Sequence, residues 1–127
     1  MIFVIEFQSV SNTKVFLLFS VYTLISNSSN CVHVSGKEAY QCSRYKVESQ
    51  SMCKDFCTSA QGLCVGYDYN HSCNKCYLYP SVTSCPSEFS PLTKSGPIAE
   101  SMTDLRGRNT TLQNWVCYGK NLNGTLG

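Results

Sequence analysis

The sequence is poor in charge, and what charge it has is dispersed. Of 127 residues, 14% are Asp, Glu, Lys or Arg, and the formal net charge is +2. No lysine or arginine run occurs, so the chain offers no electrostatic footprint for nucleic acid. Arg106-Gly-Arg108 is the one tight basic pair, and it reads as a solvated loop tip. Catalytic signatures are missing as well: there is no Gly-x-Ser-x-Gly, no His-Glu-x-x-His and no phosphate-binding glycine loop. The two histidines, His33 and His71, are far apart and read as incidental polar residues. A Cys/His nucleophile pair with either of them competes with the plainer reading of the cysteines as bridges. Asp55 and Asp68 read as a helix-surface charge and a strand or turn residue rather than as an acid/base pair. No catalytic residue, metal or cofactor is expected, and no internal repeat is visible.

What the chain does have is cysteine. Nine in so short a sequence mark a disulfide scaffold in an oxidising compartment. A cytosolic zinc protein is the competing reading, but it wants two ligand clusters at ordinary spacing. Here there is one Cys-x-x-Cys, Cys73 to Cys76, while Cys53 and Cys57 stand at helical spacing. A redox role for Cys73 and Cys76 lacks the helix N-terminus that such dithiols use.

The apolar run Val15–Ile25, after Lys14 and before Ser26-Asn-Ser-Ser29, fits the hydrophobic core of a secretory signal peptide. It is short for a membrane span, which needs about 20 apolar residues. Residues 1–28 are therefore expected to be a leader cut near Ser28. The alternative is a retained type II anchor over Ile2–Ile25, which would place Glu6 and Lys14 in the bilayer at a cost. No stable membrane span is expected after cleavage. Asn70-His-Ser, Asn109-Thr-Thr and Asn123-Gly-Thr are glycosylation sequons that agree with secretion, and Asn27-Ser-Ser straddles the presumed cut.

Residues 29–120 then form one domain. Cys31–Ser35 reads as a first strand and Ala39–Val47 as a second extended stretch. Ser49 is a plausible N-cap for a helix over Gln50–Ala60, with Met52, Cys53, Phe56, Cys57 and Ala60 on one face. Gly62 suits the left-handed turn that ends it. Leu63–Tyr69 and Cys76–Tyr79, around a polar turn, read as an antiparallel hairpin in which Gly66 marks a bulge or a close approach. Ser81 to about Thr110 reads as a long loop with a brief helical turn near Ala99–Leu105. Asn114–Tyr118 gives a last strand, and residues 121–127 a disordered tail.

Cys53-Lys-Asp-Phe-Cys57, Cys64-Val-Gly-Tyr-Asp-Tyr69 and Cys76-Tyr-Leu78 together resemble the PAN/apple domain family. The match covers about Cys42–Tyr118, with its informative motifs confined to residues 53–79. The resemblance implies an α+β fold: a single short helix packed on a curved antiparallel sheet, stapled by disulfides. It also implies two core bridges, Cys53–Cys76 and Cys57–Cys64. Spacing alone does not choose them, since eight cysteines permit 105 pairings. Apple-type members add a bridge between the domain's ends, here Cys117 to Cys42 or Cys31. Taking Cys42–Cys117 leaves Cys73–Cys85 to pin the loop and Cys31 unpaired, free to form a disulfide-linked dimer.

The family's use is similarly extracellular: protein or carbohydrate recognition and adhesion. Aromatic rings suit that work, and the chain has eight tyrosines and one tryptophan, Trp115. Tyr67, Tyr69, Tyr77, Tyr79, Arg106 and Arg108 are the candidate binding residues, although tyrosines alternating along a strand also fill cores. A stand-alone secreted toxin or protease inhibitor, and a fragment of a multidomain receptor, are the competing functions.

Overall fold

The computed structural model describes residues 6–9, 15–92 and 95–126, with side chains described over 19–92 and 95–121. Its elements in chain order are β1 (Glu6–Ser9), β2 (Val15–Ser26), β3 (Cys31–His33), β4 (Cys42–Arg44), α1 (Gln50–Ser59), β5 (Cys64–Asn70), β6 (Lys75–Pro80), β7 (Ser90–Pro91), β8 (Leu105–Gly107) and β9 (Trp115–Leu126). Seven strands form one antiparallel sheet in the order β1-β2-β9-β5-β6-β4-β7, while β3 and β8 pair as a separate ribbon.

The helix forms where local chemistry supports it. Ser49 has extended backbone, and its hydroxyl accepts the Met52 N–H at 3.1 Å, satisfying an amide that the first turn leaves open. Cys53, Cys57 and Thr58 are buried, and Met52, Phe56 and Ala60 pack at the margin of the core. The left-handed residue after the helix is Gln61 (φ 55°), not Gly62. Lys120 of β9 explains how a residue with a side chain is held there. Its buried ammonium donates to the Cys57 carbonyl at 2.6 Å and to that of Gln61. A cation thus meets the negative end of the helix.

The hairpin forms as β5 and β6. Asn70 Oδ1 accepts from the Ser72 N–H and hydroxyl, both at 2.8 Å, and from the Cys73 N–H at 3.2 Å, which closes the turn. The register shifts between Cys64 and Gly66. A Cβ at Gly66 would stand 2.6 Å from the Tyr118 carbonyl oxygen and 2.7 Å from Leu105 Cδ1, so the close approach is to β9 and the ribbon, not to the helix.

The sheet separates two cores. On the helix side lie Cys42, Cys53, Cys57, Cys64, Tyr67, Tyr69, Cys76 and Leu78. On the other side, Cys31 and Leu105 of the ribbon cover Val65, Tyr79, Cys117 and Ala99. The layers are therefore helix, sheet and ribbon, each apolar face buried against the next.

Three expectations are corrected, and the run expected as the core of a leader has a place in the sheet. Val15–Ser26 forms strand β2, paired along β9 from Phe16↔Leu126 to Ser26↔Cys117. Residues 1–5 and 10–14 of that leader lie outside the described residues, and no described helix is long and apolar enough to cross a membrane. Residues 121–126, expected as a disordered tail, continue β9. The long loop has its expected helical turn, a 3-10 turn at Met102–Asp104, but it also holds two strands, β7 and β8, the latter containing Arg106. Only Cys42–Arg44 of the stretch 39–47 is a strand.

The disulfides are Cys53–Cys76, Cys57–Cys64, Cys31–Cys117 and Cys42–Cys85, and Cys73 is free and exposed. The first two are the bridges that the resemblance implies. Cys42–Cys117 is excluded by topology: β5 and β6 lie between β4 and β9. Strands three steps apart are roughly 14 Å distant, twice the reach of a disulfide. Cys73–Cys85 fails for length. Cys85 lies beside Ala60 and Leu63, before β5 starts, whereas Cys73 follows its end, roughly 20 Å along the strand. Cys31 is not unpaired, because the β3 ribbon lays it over Cys117.

Candidate binding cleft

Three of the four candidate tyrosines face inward. Tyr67, Tyr69 and Tyr79 are 1%, 2% and 0% exposed, so none of them presents a binding surface. Each hydroxyl has an internal partner. Gln50 Nε2 donates to Tyr67 at 3.1 Å, Tyr69 donates to the Val47 carbonyl at 2.8 Å, and Tyr79 donates to the Cys31 carbonyl at 3.0 Å. The Tyr67 ring also stacks on Tyr118 at 5.3 Å and meets Tyr22 edge-on at 5.7 Å. Burial pushes the Tyr67 and Tyr79 hydroxyls well above their ordinary range.

Tyr77 is the exception, and its position along the strand explains why. It shares the ribbon face of β6 with Tyr79, but lies toward the end that the ribbon leaves open. There its ring meets Trp115, the first residue of β9, with centroids 5.0 Å apart and planes tilted by 39°. Both rings are half-buried. Around them lies a cleft of about 290 Å³ lined also by Asn30, Glu38, Gln41, Leu92, Arg108 and Leu112.

The polar wall of this cleft is fixed in place. The Arg108 N–H donates to the Asn30 carbonyl at 3.1 Å, and Arg108 Nε donates to Asn30 Oδ1 at 2.9 Å. One terminal nitrogen of the guanidinium pairs with Glu38 Oε1. Asn30 itself adjoins Cys31, which the disulfide ties to Cys117, two residues after Trp115. The bond therefore holds the aromatic and polar walls at a set distance. Side chains held this way have already lost the freedom that binding would otherwise cost.

Beneath the cleft lies Asp68, fully buried. One carboxylate oxygen accepts the Cys31 N–H at 2.9 Å, and the other meets the Tyr79 hydroxyl. Cys31, Asp68 and Cys117 have potential ligand atoms within 4.8 Å of one another. The two sulfurs are bonded to each other, so the cluster is a packed disulfide rather than a donor set.

The structure thus brings together Tyr77 and Arg108 from the candidate list, and adds Trp115, Glu38 and Asn30. Arg106 stands apart, donating to the Gly107 carbonyl at 3.0 Å and to Asn109 Oδ1 at 3.1 Å. Among the sequons, Asn109 is exposed and Asn70 is buried in the turn it builds. The side chain of Asn123 lies outside the described residues. Comparison with protein-family models, with curated proteins and with solved structures finds no match for this chain.

Proposed function

We propose that the chain is a secreted recognition module of the PAN/apple type, which binds an extracellular protein or glycan through the Tyr77–Trp115 cleft. The observation that carries this reading is the pairing of two half-exposed rings with an ion pair already fixed beside them. Small-ligand sites combine apolar walls with a few convergent polar groups in this way. Four disulfides suit an oxidising compartment, and the order helix, hairpin and staples agrees with the sequence motifs. The cleft holds one carboxylate, Glu38, and it is tied to Arg108, which suits recognition and not proton transfer.

The test uses the oxidised protein recovered from a secretory host. It is applied to a glycan array, to a panel of extracellular proteins and to proteases in inhibition assays. Binding without inhibition is expected. Inhibition with no glycan or protein adhesion would replace this reading with that of a secreted inhibitor.

A further inference from the structure

We infer that the cleft takes one neutral pyranose residue, with a C–H face against Trp115 or Tyr77 and hydroxyls on Glu38 and Arg108. The inference rests on the recognition reading above and narrows its ligand class.

Size is the first argument. At about 290 Å³ the cleft lies just under the range of roughly 300–1,000 Å³ that holds drug-sized ligands. It fits a single ring rather than a folded segment of a partner. Leu92 and Leu112, both exposed at the rim, leave room for the rest of a longer chain to run outward.

Chemistry is the second. A pyranose presents C–H groups on one face and hydroxyls around its edge. The C–H face packs on an aromatic ring with loss of water from both surfaces. Each hydroxyl both donates and accepts, so it needs a wall offering both roles. Glu38 accepts, the Arg108 N–H groups donate, and both are oriented before any ligand arrives. A purely apolar ligand would desolvate this wall and give nothing back.

Charge is the third. Glu38 neutralises Arg108 within the cleft. A sugar carboxylate that approached the guanidinium would lie beside a second carboxylate, and like charges at such range repel. The pair therefore selects against acidic sugars, although an arginine alone would select for them.

The chain's single tryptophan is Trp115, so indole fluorescence reports on this cleft alone. Full-chain protein from a secretory host is titrated with neutral methyl hexopyranosides and with the corresponding hexuronate. A saturable change with the neutral sugars is expected, with binding of the uronate weaker by roughly ten-fold or more. Glu38→Gln keeps the side-chain shape and removes the charge, so it should erase or reverse that preference. Uronate binding as tight as neutral binding in the unaltered protein would overturn the inference, and so would a Glu38→Gln variant with unchanged selectivity. If arrays show glycan or protein binding but no monosaccharide alters Trp115, the inference fails and the recognition reading survives. If nothing binds in any format, both fail.

Discussion

Asp68 carries a carboxyl group with no exposed surface, held between the Cys31 N–H and the Tyr79 hydroxyl. Tyr79 has one proton and two acceptors in reach, the Cys31 carbonyl and Asp68. The chain of bonds closes when Asp68 is protonated and donates to Tyr79, which donates to Cys31. Burial pushes the carboxyl well above its ordinary range, against the opposing pull of the Tyr79 and Cys31 hydrogen bonds; Glu38 adds to the rise and Arg108 reduces it. The sign follows from the proton count. Above about pH 4 the unfolded chain releases this proton while the folded chain keeps it. Stability therefore falls as pH rises from about 4 toward the raised folded value, by at most about 1.4 kcal/mol per pH unit. Asp68→Asn can make the same two hydrogen bonds without titrating. Urea denaturation between mildly acidic and neutral pH should show the slope in the parent and its loss in Asp68→Asn. An equal slope in both would assign it to another group.

At the level of elements, β2 is formed by the run expected as the core of a leader. Tyr22 lies on it, with its hydroxyl 3.1 Å from the Lys54 carbonyl and 2.7 Å from Thr58 Oγ1, while Lys54 Nζ stands over its ring at 4.9 Å. Burial raises the hydroxyl's pKa to about 12. The strand thus ties β9 to the helix across Tyr67. Tyr22→Ala in the full chain should cost about 2–3 kcal/mol, toward the low end for loss of a large core side chain because the ring is only partly buried. Unchanged stability would mean that the folded domain does not use this strand. The run Val15–Ile25 hides its role because it is apolar on both faces. Continuous apolar residues serve a leader core and a buried strand equally well. The helix and hairpin are legible for the opposite reason. Ser49, the spacing of Cys53 and Cys57, and the turn chemistry of Asn70-His-Ser-Cys act within a few residues of one another. The cleft is illegible from sequence since Asn30, Glu38, Tyr77, Arg108 and Trp115 come from five separate stretches. Tyr77 and Arg108 attract attention as residue types, but nothing local distinguishes Tyr77 from Tyr79.

Across the whole molecule, the long-range bonds decide which surfaces meet. Cys31–Cys117 closes 86 residues, and in the chain-entropy account a loop of that length gains roughly 4–5 kcal/mol. It also sets the ribbon over Asp68 and positions Asn30 opposite Trp115, so the fold's closure and the cleft depend on one bond. Cys73, at the exposed hairpin tip, takes no part in it. A thiol reagent applied without denaturant should therefore label one cysteine per chain, Cys73. The most direct test is non-reducing peptide mapping of the secreted protein by mass spectrometry. The expected result joins Cys31 to Cys117 and Cys42 to Cys85, alongside Cys53–Cys76 and Cys57–Cys64, with the label on Cys73. A Cys42–Cys117 linkage, or Cys31 free, would leave Asn30 and Arg108 unanchored to Trp115 and would contradict the account of the cleft.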